Sequence, residues 1–341
     1  MVPNRPWPCR KDSRPTSSRP SAEILNGPHC GFQAVLGRMD EDGVDWSDKL
    51  KEMFDRTYLR PLAQIFSSPN IRAMAELRLP VAMGRLIEDS GLRASIPGRH
   101  TNSLILETIY GLLERHYRCE YVYKNTIAQK ILLGRHRLAG ATMATELRCG
   151  MSKADFAILN GTSTVYEIKT ELDNLDRLPS QLDAYRNMFD KVFVVAHHGL
   201  AETLLDSLGS DVGILAMTKQ GTLRQLRASE SHAKTVNPAC IFDSLRKSEY
   251  MPIVQRYFGP IPAMPNTRHY PYCKELFTTL RPATAHLEMV GALKHRFCPS
   301  VDKEFLKTIP GPLIAGLFAA KLSENQAKSI AKFMGLEYAL F

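Results

Sequence analysis

The run Ser152-Lys153-Ala154-Asp155-Phe156-Ala157-Ile158-Leu159, followed by Thr164-Val165-Tyr166-Glu167-Ile168-Lys169-Thr170, constrains this chain more than any other segment. Both stretches are short and rich in apolar and β-branched residues, and Asn160-Gly161 between them is a strong hairpin signal. They are expected to pair as antiparallel neighbours. Side chains alternate along a strand, so Glu167 and Lys169 share a face with Val165 while Tyr166, Ile168 and Thr170 look the other way. If Asp155 opposes them, two carboxylates and a lysine converge. Like charges held close repel unless a cation lies between them, and hard oxygen ligands select Mg²⁺ or Mn²⁺. A lysine beside such a cation can hold a water or the charge that develops at phosphorus. The pattern outlines a metal-dependent phosphodiesterase.

The flanks extend the pattern. Asp176-Arg177-Leu178-Pro179-Ser180 is a helix entry with proline in the first turn, and the helix is expected to run to about Asp190. Gln181 and Tyr185 lie four apart and share a face of it. Lys191-Val192-Phe193-Val194-Val195-Ala196 has the unbroken apolar character of a strand buried on both faces. Upstream, residues 104–113 read as a helix and 144–148 as one more strand. The expected order is helix, three strands, helix, strand.

With Asp155 as first acid, Glu167-Ile168-Lys169 as second acid, spacer and lysine, and Gln181-Leu182-Asp183-Ala184-Tyr185 as a Gln-x-x-x-Tyr helix, the chain resembles the PD-(D/E)XK nuclease superfamily. The helix motif points to the RecB-like and lambda-exonuclease-like branch, and the whole pattern is similar to an uncharacterised bacterial family within it. Ala154 stands where a proline is usual before the first acid. The resemblance spans residues 101 to 200. It implies that Asp155, Glu167 and the backbone carbonyl of Ile168 hold the metal, and that a glutamate on the first helix, Glu107 or Glu114, completes the site. It implies catalytic roles for Asp155, Glu167, Lys169, Gln181 and Tyr185.

Each of these residues also has a plainer reading. Glu-x-Lys is a common triplet, and charges alternating on an exposed edge strand blunt a sheet edge. Gln181 and Tyr185 fit a polar helix face with a half-buried aromatic, and Glu171, Asp173 and Asp176 a solvated loop. Glu146 suits the rim of a strand, although it lies near Asp155. The order in which acid, hairpin, helix and buried strand follow one another favours the site.

The rest of the sequence narrows the classes. No apolar run approaches a membrane span, and residues 1–19 are rich in Pro, Ser and Arg without the apolar core of a secretory signal, so a cytoplasmic protein is expected. Seven cysteines are scattered without a Cys-x-x-Cys pair or zinc spacing, and their odd number argues against a disulfide framework. There is no Walker loop or dinucleotide-binding glycine pattern. The net charge of +9 points to an acidic partner, nucleic acid, with DNA favoured over RNA because no RNA-reading motif is present. From residue 231 onward, 14 Lys and Arg stand against 8 acids, which places +6 of the +9 there. Cations alternate with aromatics in 268–274 and 294–297, a composition that suits single strands.

The organisation expected is a poorly ordered segment (1–45), a small helical module (46–100), a nuclease-like core (101–215) and a basic, mostly helical C-terminal region (216–341). The fold class is α/β, a restriction-endonuclease-like core with a mixed central sheet flanked by helices and with helical extensions at both ends. The function expected is Mg²⁺- or Mn²⁺-dependent hydrolysis of DNA. The alternative is a non-cleaving nucleic-acid-binding or regulatory protein on the same fold. Strand form, sequence specificity, cutting mode and oligomeric state stay open.

Overall fold

The Asn160-Gly161 hairpin forms in the computed structural model, which describes residues 53–96, 99–134, 141–298 and 303–338. The segment 1–45 lies outside the described residues. Gly161 adopts φ +90°, and the Asn160 N–H donates to the Thr162 carbonyl to close the turn. Around this hairpin a six-stranded mixed sheet assembles in sequence order: β1 (Thr142–Cys149), β2 (Ser152–Leu159), β3 (Ser163–Lys169), β4 (Lys191–His197), β5 (Gly213–Met217) and β6 (Leu223–Arg227). β1, β2 and β3 pair antiparallel, β3, β4 and β5 parallel, and β6 returns antiparallel.

Helices cover both faces. Before the sheet come α1 (Ser68–Ala75), α2 (Val81–Asp89), α3 (Asn102–His116) and α4 (Glu120–Ile127); α5 (Leu178–Arg186) and α6 (His198–Ser207) carry the parallel crossovers. After it come α7 (Pro238–Ser244), α8 (Lys247–Phe258), α9 (Asn266–Thr278), α10 (Pro282–Arg296), α11 (Lys303–Thr308), α12 (Ile314–Ala320) and α13 (Glu324–Gly335). Strand alternation divides the apolar residues between two cores. Phe156, Ile158, Tyr166, Ile168, Val195 and Leu215 join α1, α3, α4, α12 and α13 on one side. Ala157, Leu159, Val165, Val194, Ala196 and Ile214 join α5 and α7 to α10 on the other.

The division expected at residue 215 falls inside β5, and the sheet continues to Arg227. The stretches on either side of the sheet are not appendages either. Leu62, Ile65 and Ile71 share one core with Leu313, Ile330 and Phe333, and Asn102 binds backbone groups of Phe333 and Leu336. α7 to α10 form the outer layer of the opposite core. The apolar residues at helical spacing on both flanks exist to cover the two faces of one sheet.

Candidate functional site

At one end of the β2–β3 ladder the strands part. Their pairing reaches Phe156↔Tyr166, so continued register would set Asp155 opposite Glu167. Instead the Asp155 carboxylate accepts a hydrogen bond from the Ile168 N–H at 3.2 Å, taking the place of a backbone partner. The cause is a local break in alternation. Ala154 and Ala157 both face the core under α5, and on β1 the residue that would sit across from Asp155, Glu146, has φ +57°. A non-glycine residue in the left-handed region is strained, and the Glu146 and Asp155 positions are the ones skipped in the β1–β2 register.

The five side chains expected to carry chemistry meet here. Glu167 is 2% exposed and Lys169 7%. Lys169 Nζ lies 3.0 Å from Glu167 Oε1 and donates to Gln181 Oε1, also at 3.0 Å. Tyr185, fully buried on α5, donates its hydroxyl proton to Glu167 Oε2 at 2.7 Å. The edge-strand reading of Glu167 and Lys169 fails on burial, because β3 is an interior strand between β2 and β4. Two charges so far from water persist because each is paired and hydrogen-bonded.

Burial pushes the Asp155 carboxyl up from the ordinary 3.8 to about 7, helped by the negative fields of Glu167 and Glu120 and opposed by Lys124 and the Ile168 N–H. Burial also holds the Tyr185 phenol far above its usual range, with the Glu167 carboxylate adding to the effect, so Tyr185 acts as a donor and not as a base. Lys124 works against its own burial. The charges of Glu120, Asp155 and Glu146 keep its ammonium above the usual range.

The glutamates expected from the first helix lie elsewhere. Glu107 accepts from the Ser103 hydroxyl at 2.8 Å, one turn back on α3, and Glu114 sits among Tyr110, Arg118 and Lys130. The acid whose field reaches Asp155 is Glu120, at the start of α4 and paired with Lys124. Lys124 also reaches Glu146 at 3.2 Å, and Glu146 binds Lys153. Glu120 and Lys124 do not stand out in the sequence. The available signal is an acid and a lysine four apart beside buried Val122, Tyr123 and Ile127.

Among the described residues no group of three or more His, Cys, Asp or Glu is gathered closely enough to hold a metal ion by itself. The donor chemistry still suits a hard divalent cation: two carboxylates in each other's field, one of them destabilised as an anion, with Glu120 adding negative charge nearby. Ile168, whose carbonyl the resemblance offers as a ligand, lies between Glu167 and Lys169 on the same strand.

Some of the expected basic surface is committed internally. Arg296 binds Glu249 and the Ser244 carbonyl, and Lys274 pairs with Asp243 at 2.7 Å beneath Tyr270. Arg268 is exposed and Lys294 half-buried. No described helix is long and apolar enough to cross a membrane.

The whole site falls within a region similar to known sequences. The model of the family "Bacteriophage P4 protein cII" matches residues 114–312. Protein cII of Enterobacteria phage P4 is 27% identical over 124 residues, which make up 35% of this chain and 47% of the phage protein. The chain thus spans about half the length of that relative. Among solved structures, the SPO1766 protein of unknown function from Silicibacter pomeroyi aligns over 41% of this chain and 92% of its own, with 14% identity and a TM-score of 0.27. The family match covers more than half of the sequence and takes in Glu120, Asp155, Glu167, Lys169, Gln181 and Tyr185. This chain belongs to the bacteriophage P4 protein cII family.

Proposed function

We propose that the protein is a metal-dependent nuclease of the PD-(D/E)XK kind, with a restriction-endonuclease-like core, acting on DNA phosphodiesters. One observation carries the reading: a buried Glu167-Lys169 pair locked by Gln181 and Tyr185, with Asp155 beside it weakened as an acid. Perturbed carboxylates of this kind cluster at sites of chemistry. Asp155, Glu167 and the Ile168 carbonyl would hold Mg²⁺ or Mn²⁺, with Glu120 in the place that the resemblance gave to Glu107 or Glu114. When bound, the ion lowers the pKa of water and offsets negative charge at phosphorus.

The chain's own residues have separate tasks. Lys169, fixed by Gln181, presents a positive charge where the attacking oxygen approaches and the phosphorane charge grows. Tyr185 fixes the rotamer of Glu167 by occupying Oε2. Asp155 stays on the sheet through the Ile168 N–H.

The competing reading, a nucleic-acid-binding protein that does not cleave, draws on a specific observation as well. Both Glu167 oxygens are already engaged, by Lys169 and by Tyr185. One experiment separates them: the purified chain with Mg²⁺ or Mn²⁺ against linear and circular, single- and double-stranded DNA and RNA, with EDTA as control. Metal-dependent cutting that Asp155→Ala and Glu167→Ala each abolish supports the nuclease. Binding without cutting in any divalent ion supports the alternative.

A further inference from the structure

Beside the carboxylates, the β1–β2 connection carries a residue that no folding requirement explains. Gly150 and Met151 form a two-residue turn closed by the Cys149↔Ser152 pair, with Gly150 at φ +58°. Met151 is 97% exposed at the apex. A single exposed apolar side chain is ordinary on a protein surface, but this one contributes nothing to the core and stands in a two-residue turn, where small or polar residues are favoured.

The base of this hairpin is firmly held. Leu147, Cys149 and Ala154 are buried in the core under α5. The Cys149 thiol donates to the Ala184 carbonyl at 2.9 Å, and Tyr185 Oη lies 3.1 Å from the Lys153 carbonyl. The stem that carries the apex is therefore anchored to the same helix that supplies Gln181 and Tyr185. Met151 stands four residues before Asp155, about 13 Å along a strand, which is about four base-pair rises.

The flanks are cationic. Arg148 and Lys153 are exposed cross-strand partners. Like charges directly opposite one another destabilise a sheet unless an anion lies across them. Glu146 answers Lys153 from the side of the carboxylates, while Arg148 bends back toward the Gly150 carbonyl at 3.4 Å. An apolar apex on a rigid stem, with two cations behind it, is the chemistry of a wedge that enters a base step while its stem holds the backbone phosphates.

Resting on the reading that nucleic acid is bound at this site, we propose that the Gly150-Met151 turn is such a wedge. Met151 enters a base step of duplex DNA a few positions from the scissile phosphate, with Arg148 and Lys153 on the flanking phosphates. The substrate class is then duplex DNA opened locally, and Met151 is a positioning residue.

The test uses the full chain, in EDTA to prevent cutting, with short duplexes carrying 2-aminopurine at successive positions and with the same labelled strand unpaired. Unstacking raises 2-aminopurine fluorescence. With all DNA bound, the native protein should raise the signal at one duplex position, Met151→Ala should lose most of that rise, and Met151→Phe should keep it. Arg148→Gln with Lys153→Gln should flatten the salt dependence of binding. A rise that survives Met151→Ala, or a flat signal in a duplex that is bound, overturns the wedge and leaves the hydrolytic reading intact. A Met151-dependent rise in a protein that never cuts with any divalent ion keeps the wedge and removes the nuclease. Failure to bind duplex DNA overturns the wedge outright.

Discussion

Replacing Asp155 with Asn should stabilise the metal-free protein, and the gain should depend on pH in a defined direction. The Asp155 carboxyl is pushed from 3.8 to about 7, first by burial and then by Glu167 and Glu120. The folded state therefore binds this proton more tightly than the unfolded chain does. Stability falls as pH rises from about 4 to about 7, and the penalty is complete above that window. About three pKa units at about 1.4 kcal/mol each set an upper limit of about 4 kcal/mol. Residual hydration of the carboxylate reduces it. Asn keeps an oxygen for the Ile168 N–H and removes the charge. In EDTA at pH 8.5, Asp155→Asn should melt higher than the native chain by up to about 10 °C, a gap that closes toward pH 4. Mn²⁺ should reverse the order, because a bound cation relieves the native repulsion while the variant has lost a ligand. Scanning calorimetry across pH, with and without Mn²⁺, measures both effects. Equal melting of the two proteins in EDTA at all pH values would show that the Asp155 charge carries no folding penalty, and an equal rise of both with Mn²⁺ would show that Asp155 is not a ligand.

Other perturbations separate the roles around it. Lys169→Met should leave buried Glu167 without its counter-charge at a cost of about 3–5 kcal/mol in EDTA, and Mn²⁺ should restore much of that loss while turnover stays low; melting and single-turnover cleavage read the two. Tyr185→Phe removes the donor to Glu167 Oε2 and should cost about 1–3 kcal/mol by denaturant titration. Glu120→Gln should weaken Mn²⁺ binding in calorimetric titration, whereas Glu107→Gln, whose carboxylate binds Ser103, should leave it unaltered. Neutralising Arg268 and Lys294 should reduce the salt slope of DNA binding by about 0.7–0.9 for each phosphate that they neutralise in the native complex; an unaltered slope would remove these two residues from the DNA surface.

What the sequence made legible were the features governed by local chemistry. Asn160-Gly161 fixes the β2–β3 hairpin, the unbroken apolar run 192–196 becomes the central parallel strand β4, and Pro179 opens α5 so that Gln181 and Tyr185 point at Lys169 and Glu167. Features that depend on tertiary packing stay hidden. Gly213–Met217 and Leu223–Arg227 are five residues each, too short for their alternation to stand out, and they become strands because β4 offers β5 an edge. Glu120 is inconspicuous because its relevance to Asp155 depends on where α4 crosses the end of the sheet. Glu107 looks suitable because it lies on the longer helix, α3, but its carboxylate bonds within that helix.

The C-terminal charge shows why counting is weaker than pairing. An excess of six positive charges after residue 230 reads in sequence as one basic surface. In the fold, Arg296 is only 9% exposed at its side chain and joins α10 to the first turn of α8 through Glu249, while Lys274 joins α9 to α7 through Asp243. Both cations hold together the layer that covers the core under α5, and an aromatic ring lies beside each because that layer is packed. Breaking a buried, hydrogen-bonded pair by removing one partner costs several kcal/mol, while removing an exposed phosphate-binding cation costs the free protein almost nothing. Arg296→Gln should therefore lower the melting temperature without altering the salt slope of DNA binding, and Arg268→Gln should do the reverse. If Arg296→Gln melts like the native chain and flattens the slope instead, the Glu249 pair is dispensable and the interleaved segment is a nucleic-acid surface after all.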